Sequence, residues 1–151
     1  KNFPFAKHFC IRSIMNGGGM PHRLGLSETV LFFSNHRILY PSTEAFYQKI
    51  AAFKKKAPEK KIVIEAERFE EAVVLMQSGA DVVQMDKVDV ETLQKLSIYR
   101  DDHFPSVKIL AAGGVHKGNA QSYAQTGVDG IVTSAVYFCG MANMGSRMTL
   151  L

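Results

Sequence analysis

From residue 61 to residue 133 the chain repeats one pattern, a short apolar run followed by a stretch of helical periodicity, and this repetition constrains the fold more than any other feature. Residues 61–66, 81–85, 107–112 and 130–133 are β-prone and apolar. Between them lie 69–77, about 90–99 and 119–126, where apolar positions recur at helical spacing and Gly79 and Gly127 stop two of the three helices. Strands joined by helices of this length run parallel, because the helix is the usual crossover between parallel neighbours. The first part follows the scheme less regularly. A helix is expected over 6–16, ending at Gly17-Gly18-Gly19, then a strand over 29–33. A helix over 43–56 follows, with Phe46, Ile50 and Phe53 on one face and Ser42 as its N-cap. The expected fold class is α/β, an incomplete parallel barrel formed by residues 1–151 as one domain. Periodicity alone leaves an open doubly wound sheet as the alternative. With 151 residues the chain is too short for a complete eight-fold barrel of about 250.

Composition narrows the class of function. A net charge of +4 is modest, and the one basic cluster, Lys54 to Lys56 with Lys60 and Lys61, falls at a helix C-terminus where cations complement the dipole, so a nucleic-acid partner is not expected. Nor is a membrane partner, since no segment is long and apolar enough to span a bilayer. Cys10 and Cys139 form neither a CxxC pair nor a metal-ligand spacing, as suits a reduced, cytoplasmic protein.

In a parallel barrel the chemistry gathers at the C-terminal ends of the strands. The polar residues there are His36 and Arg37, Glu65 and Glu67, Asp86 and Lys87, Gly113 and Gly114, and Ser134. Acidic groups on two neighbouring ends suit Mg²⁺ or a sugar diol, and the Gly-Gly and Thr133-Ser134-Ala135 turns offer backbone N–H groups to phosphate. Blander readings stand beside these. Asp86 can simply start a helix, Gly113-Gly114 can serve a tight turn, and of Glu65 and Glu67 at most one faces the interior, because side chains alternate along a strand. His8, His103 and His116 read as surface residues. Upstream, the glycine run and Met20-Pro21-His22-Arg23 form a flexible, donor-rich segment suited to an anionic group.

Several collinear motifs carry a family resemblance: GGGMPHRLGLSETVLFFSNHR from Gly17, IVIEAERFEEA from Ile62, VVQMDK from Val82, ILAAGGV from Ile109 and YAQTGVDGIVTSAVYF from Tyr123. Together with Lys1-Asn2-Phe3-Pro4 they resemble the barrel domain of the quinolinate phosphoribosyltransferase family, and most of all its molybdenum-transport-associated ModD branch. The resemblance implies transfer of phosphoribose from 5-phosphoribosyl 1-pyrophosphate (PRPP) to a ring nitrogen of a small aromatic acceptor, with Mg²⁺ as cofactor and a dimer or larger oligomer as the working form. It implies catalytic roles for Lys1, Glu65 and Asp86, the two acids also holding Mg²⁺ directly or through water. His22, Arg23 and His36 would face the acceptor, and Gly113, Gly114, Ser134 and Ala135 would hold the 5′-phosphate.

The departures from the family pattern are specific. Phe33 stands where quinolinate enzymes carry a lysine for the substrate carboxylates, Ala112 where they carry serine, and Phe5 where a glycine follows Pro4. A dicarboxylate acceptor is therefore not expected. The family's N-terminal sandwich domain has no counterpart in these residues, so the sequence reads as a barrel fragment, poorly active alone. Two other functions compete: a phosphosugar isomerase or aldolase barrel, for which Lys87 is the sole Schiff-base candidate, and a non-catalytic barrel that keeps only a ligand-binding or dimerisation surface.

Overall fold

The computed structural model describes residues 5–25, 28–138, 140 and 145–149. Among them five strands form one parallel sheet: β1 (Thr29–Phe32), β2 (Lys61–Ala66), β3 (Val82–Asp86), β4 (Lys108–Ala112) and β5 (Gly130–Ile131). Their spatial order is their sequence order. A doubly wound sheet would reverse its order at a switch point; here every strand adds on the same side of the last, as in the wall of a barrel. The helices are α1 (Lys7–Asn16), α2 (Ser34–Arg37), α3 (Thr43–Tyr47), α4 (Ile50–Lys56), α5 (Phe69–Gln77), α6 (Val90–His103) and α7 (Ala120–Ala124), followed by a 3₁₀ turn at Ala135–Tyr137.

Strand alternation divides the sheet into two faces. Ile62, Ile64 and Ala66 of β2, Val83 and Met85 of β3, and Ile109 and Ala111 of β4 point one way and pack in a single core with Phe46, Ile50, Leu75, Leu93 and Leu96 of the helices. Each large aliphatic side chain buried there contributes about 1.5 to 3 kcal/mol. The opposite parity, which includes Val63, Glu65, Gln84, Asp86 and Ala112, forms the inner face. Glu65 thus lies inside the wall, while Glu67 follows the strand and is exposed.

One device recurs at the N-terminal ends of the strands. The turn Gly79-Ala80-Asp81 leads into β3, and Gly127-Val128-Asp129 into β5. Asp81 accepts the backbone N–H of Ile62 at 2.9 Å and pairs with Lys54; Asp129 accepts the N–H of Ile109 at 2.9 Å and pairs with Lys108 and Arg100. Each aspartate ties its own strand to the preceding one. Lys54, in the basic cluster, also reaches the carbonyl of Gly79, so that cluster closes the helix end and the turn beneath it.

Helix α2 is not among the expected elements, and α7 is shorter than the expected 119–126; three further differences concern the longer helices and β5. The helix over 43–56 is broken at Gln48 and Lys49, where the N–H of Lys49 bonds three residues back to Phe46 rather than four, a local 3₁₀ tightening. Helix α6 runs on past the expected end near residue 99 to His103; Arg100 in its last turn is buried and bonded to Asp129, to Asp101 and to the carbonyls of Val107 and Gly127. Strand β5 is only two residues long. Val132 still donates to Ala111 at 2.7 Å, after which Thr133 turns away to donate to the carbonyl of Val115.

Candidate active site

The inner face brings Glu65, Gln84 and Asp86 together at the C-terminal ends of β2 and β3. Glu65 is the register partner of Gln84, and Asp86 lies two residues further along on the same side. Burial raises the carboxyl of Glu65 above its ordinary value, and the nearby charge of Asp86 raises it further. Gln84, only 5% exposed, donates its amide N–H to Glu65 Oε2 across a long 3.4 Å and meets His22 Nε2 with its carbonyl at 3.0 Å. His22 therefore joins the acid pair through Gln84, which lies inside the VVQMDK motif without being one of the expected site residues. Its signal in the sequence is its polarity beside the apolar Val82, Val83 and Met85.

Next to this cluster the loop after β4 comes so close that only glycine fits. A Cβ on Gly113 would fall 2.5 Å from Asp86 Oδ1 and 2.8 Å from the backbone nitrogen of Lys87, and its φ of +82° is itself a glycine conformation. The tight-turn reading of Gly113 accounts for the glycine, and the turn it makes packs directly on the acid. Gly114, at φ +73°, has open space where a side chain would be. With Val115, His116, Thr133, Ser134, Ala135 and Phe138 these glycines line a cavity of about 400 Å³ between the loops that follow β4 and β5. Asn119 secures the first loop, its amide donating to the carbonyl of Gly114 and its Oδ1 accepting the N–H of His116. His116 is exposed, as expected of a surface residue, and also lines this cavity. Its Nδ1 accepts the N–H of Gly118, so in the neutral ring the proton sits on Nε2. Ala135 is in the cavity, but its N–H is engaged by Thr133 Oγ1 at 3.0 Å; it therefore contributes shape rather than a donor.

The remaining expected residues are dispersed. Arg23 lines a small crevice with His22, Lys7, Cys10, Ile11 and Tyr137, and it is held at φ +59°, a left-handed conformation uncommon outside glycine. His36 is exposed, and its Nδ1 accepts the N–H of Phe33 at 3.0 Å, capping α2. Arg37 is committed to structure: its guanidinium bonds Glu71 and the backbone carbonyl of Glu65 and lies 5.6 Å above the ring of Phe46. Lys87, also at positive φ, is 78% exposed and pairs with Asp86 at 3.3 Å, far from the desolvated setting that activates a Schiff-base lysine. Lys1 and Cys139 lie outside the described residues. Among the described residues no three His, Cys, Asp or Glu side chains converge as a metal cage. Two carboxylates are what Mg²⁺ takes from a protein when substrate phosphates and water complete its shell, so Glu65 and Asp86 fit that ion and fit a dedicated transition-metal site poorly.

Comparison with known proteins converges on one family. The model of the quinolinate phosphoribosyl transferase C-terminal domain matches residues 1–140. A protein of Pasteurella multocida named as a pyrophosphorylase ModD is 32% identical over 138 residues, 91% of this chain and 49% of its own length. The nicotinate-nucleotide pyrophosphorylase of Mycobacterium leprae is 30% identical over 120 residues, 80% of this chain and 41% of its own. The chain spans about half the length of the curated relatives it matches. Among solved structures, the nicotinate-nucleotide pyrophosphorylase of Francisella tularensis superposes with a TM-score of 0.75 at 23% identity, over 89% of this chain and 46% of that one. The sequential parallel sheet is therefore the fold of these enzymes, and the chain belongs to the quinolinate phosphoribosyltransferase family through its C-terminal domain.

Proposed function

We propose that this domain carries the PRPP-binding half of a phosphoribosyltransferase that joins phosphoribose to a ring nitrogen of a small aromatic acceptor. The observation that carries the reading is the close approach of Gly113 to Asp86, which sets a cavity of about 400 Å³ directly beside a pair of inward carboxylates. Ribose hydroxyls and the 5′-phosphate of one molecule have this spacing of chemistry. In this reading the 5′-phosphate lies between the Gly113-Gly114 and Ser134-Ala135 loops, with His116 Nε2–H as a further donor. Glu65 and Asp86 orient the ribose and stabilise the positive charge that develops at C1′ as pyrophosphate departs, an electrostatic effect that costs no reorganisation because both groups are already in place. Glu65 and Asp86 would hold Mg²⁺ directly or through water, and the ion would supply charge neutralisation for the departing pyrophosphate. A reaction on phosphorylated intermediates suits the cytoplasm.

Isothermal titration of the 151-residue chain with PRPP and Mg²⁺ tests the reading. Binding should require the metal, and Asp86→Ala should weaken it by about ten- to a hundredfold, the worth of one charge-assisted contact of about 1.5 to 3 kcal/mol. Equal affinity in the variant would remove Asp86 from the site and the reading with it.

A further inference from the structure

Gln84 is the one buried side-chain amide on the inner face among the described residues, and both of its ends are engaged by groups of the candidate site. The chemistry of those partners fixes its orientation. A carboxylate only accepts, so the face of Gln84 turned to Glu65 must be the NH₂ group, which leaves the carbonyl turned to His22; a carbonyl also only accepts, so His22 must donate from Nε2. The reversed amide would set an oxygen against the Glu65 carboxylate in a buried place.

We infer that Gln84 is a positioning residue that couples the two sides of the site, holding the His22 imidazole in its Nε2–H tautomer. Its effect is to make the imidazole of the Met20-Pro21-His22-Arg23 loop a defined ligand rather than a ring that exchanges tautomers and orientations. Assigning His22 to the acceptor side and Glu65 to the ribose side rests on the phosphoribosyl-transfer reading; the hydrogen-bond relay does not. The relay also links a loop residue to a strand residue, and it sets the orientation of the His22 ring from the rigid inner wall.

Long-range ¹H–¹⁵N correlation spectra of the histidine-labelled chain report which ring nitrogen carries the proton. The wild-type chain should show His22 with Nε2–H favoured roughly tenfold or more, about what one hydrogen bond supplies. Gln84→Met, similar in size and without donor or acceptor, should lower the Nε2–H population of the His22 ring below that of the wild-type chain. Glu65→Leu should shift it in the same direction, and should add nothing in the Gln84→Met background, as a signal carried through Gln84 requires. That second response separates a relay from a purely structural role, and it stands as the test should the buried Gln84→Met fail to fold. An Nδ1–H ring in the wild-type chain, or a His22 pattern unmoved by Glu65→Leu, overturns the inference. A chain that shows the relay and binds no PRPP would sink the phosphoribosyl reading alone.

Discussion

The surroundings of Glu65 disfavour its ionised form. Burial and the charge of Asp86 both favour its neutral form, and the single contact from Gln84 does not offset them, so its folded-state carboxyl stands above its unfolded value. For a raised carboxyl the folded chain binds the proton more tightly than the unfolded one. The ionised form therefore subtracts from stability as pH rises past the unfolded value near 4.3 and through the folded one. Glu65→Gln removes that charge and keeps the shape. It should raise stability at neutral pH by about 0.5 kcal/mol, the low end for relief of a functional site, as read by urea unfolding, while weakening metal-dependent PRPP binding; a loss of stability in Glu65→Gln would contradict this account. Phe33 poses the acceptor question. It continues the inner-face parity of Thr29 and Leu31, next to the Glu65 position, and offers no charge to a carboxylate. Phe33→Lys should improve quinolinate binding by at most one charge-assisted contact, about 1.5 to 3 kcal/mol, and an unchanged dissociation constant would mean that other residues set the acceptor.

At the level of elements, the two ends of the sheet divide the labour: chemistry lies at the C-terminal edges and cohesion at the N-terminal ones. Asp81 and Asp129 show how cohesion is obtained. Burial alone would raise both carboxyls, but the strand N–H groups and the Lys54, Lys108 and Arg100 partners prevail and hold them below their ordinary values. A depressed carboxyl contributes stability that is complete above the unfolded value of about 3.9 and is lost as pH falls from there through the folded value. Asp81→Asn should accordingly flatten the acid limb of the stability curve below about pH 4 and lower neutral stability by about 1 to 3 kcal/mol, because the N–H of Ile62 and the Lys54 ammonium lose a charged partner. An acid limb as steep as that of the wild-type chain would assign the acid sensitivity to other groups. These same elements show what the sequence could reveal. Strand β2 and helix α5 were legible to the residue, because their apolar runs and the glycine stop at Gly79 are local signals. The bend at Lys49 and the last turn of α6 were not, since both depend on what Phe46 and Arg100 meet across the fold. The acids and glycines of the site could be read from strand ends and family motifs; Gln84, Asn119 and the cavity wall at His116 could not, because their roles arise only when neighbouring loops converge.

Considered as a whole, the molecule is a wall rather than a closed barrel. The sheet runs from β1 to β5 without returning, so among the described residues the outer edge of each terminal strand has no strand partner. Helix α1 buries none of its residues, and Phe9, Met15, Val136 and Phe138 are exposed around it and along the turn after β5. Unpaired edges and exposed apolar side chains both favour association with another chain. The inner face has the same incompleteness: His22 reaches the acid pair through Gln84, while Arg23 lines a separate crevice and Arg37 is committed to Glu71 and the carbonyl of Glu65. We therefore expect the 151-residue chain to be a dimer or larger in solution and to turn over PRPP only at background level, even where it binds PRPP. Light scattering and a phosphoribosyl-transfer assay on the same preparation check both halves. A clean monomer turning over at about 1 s⁻¹ or faster, an ordinary enzymatic rate, would show that this wall of five strands holds a complete active site without a second chain.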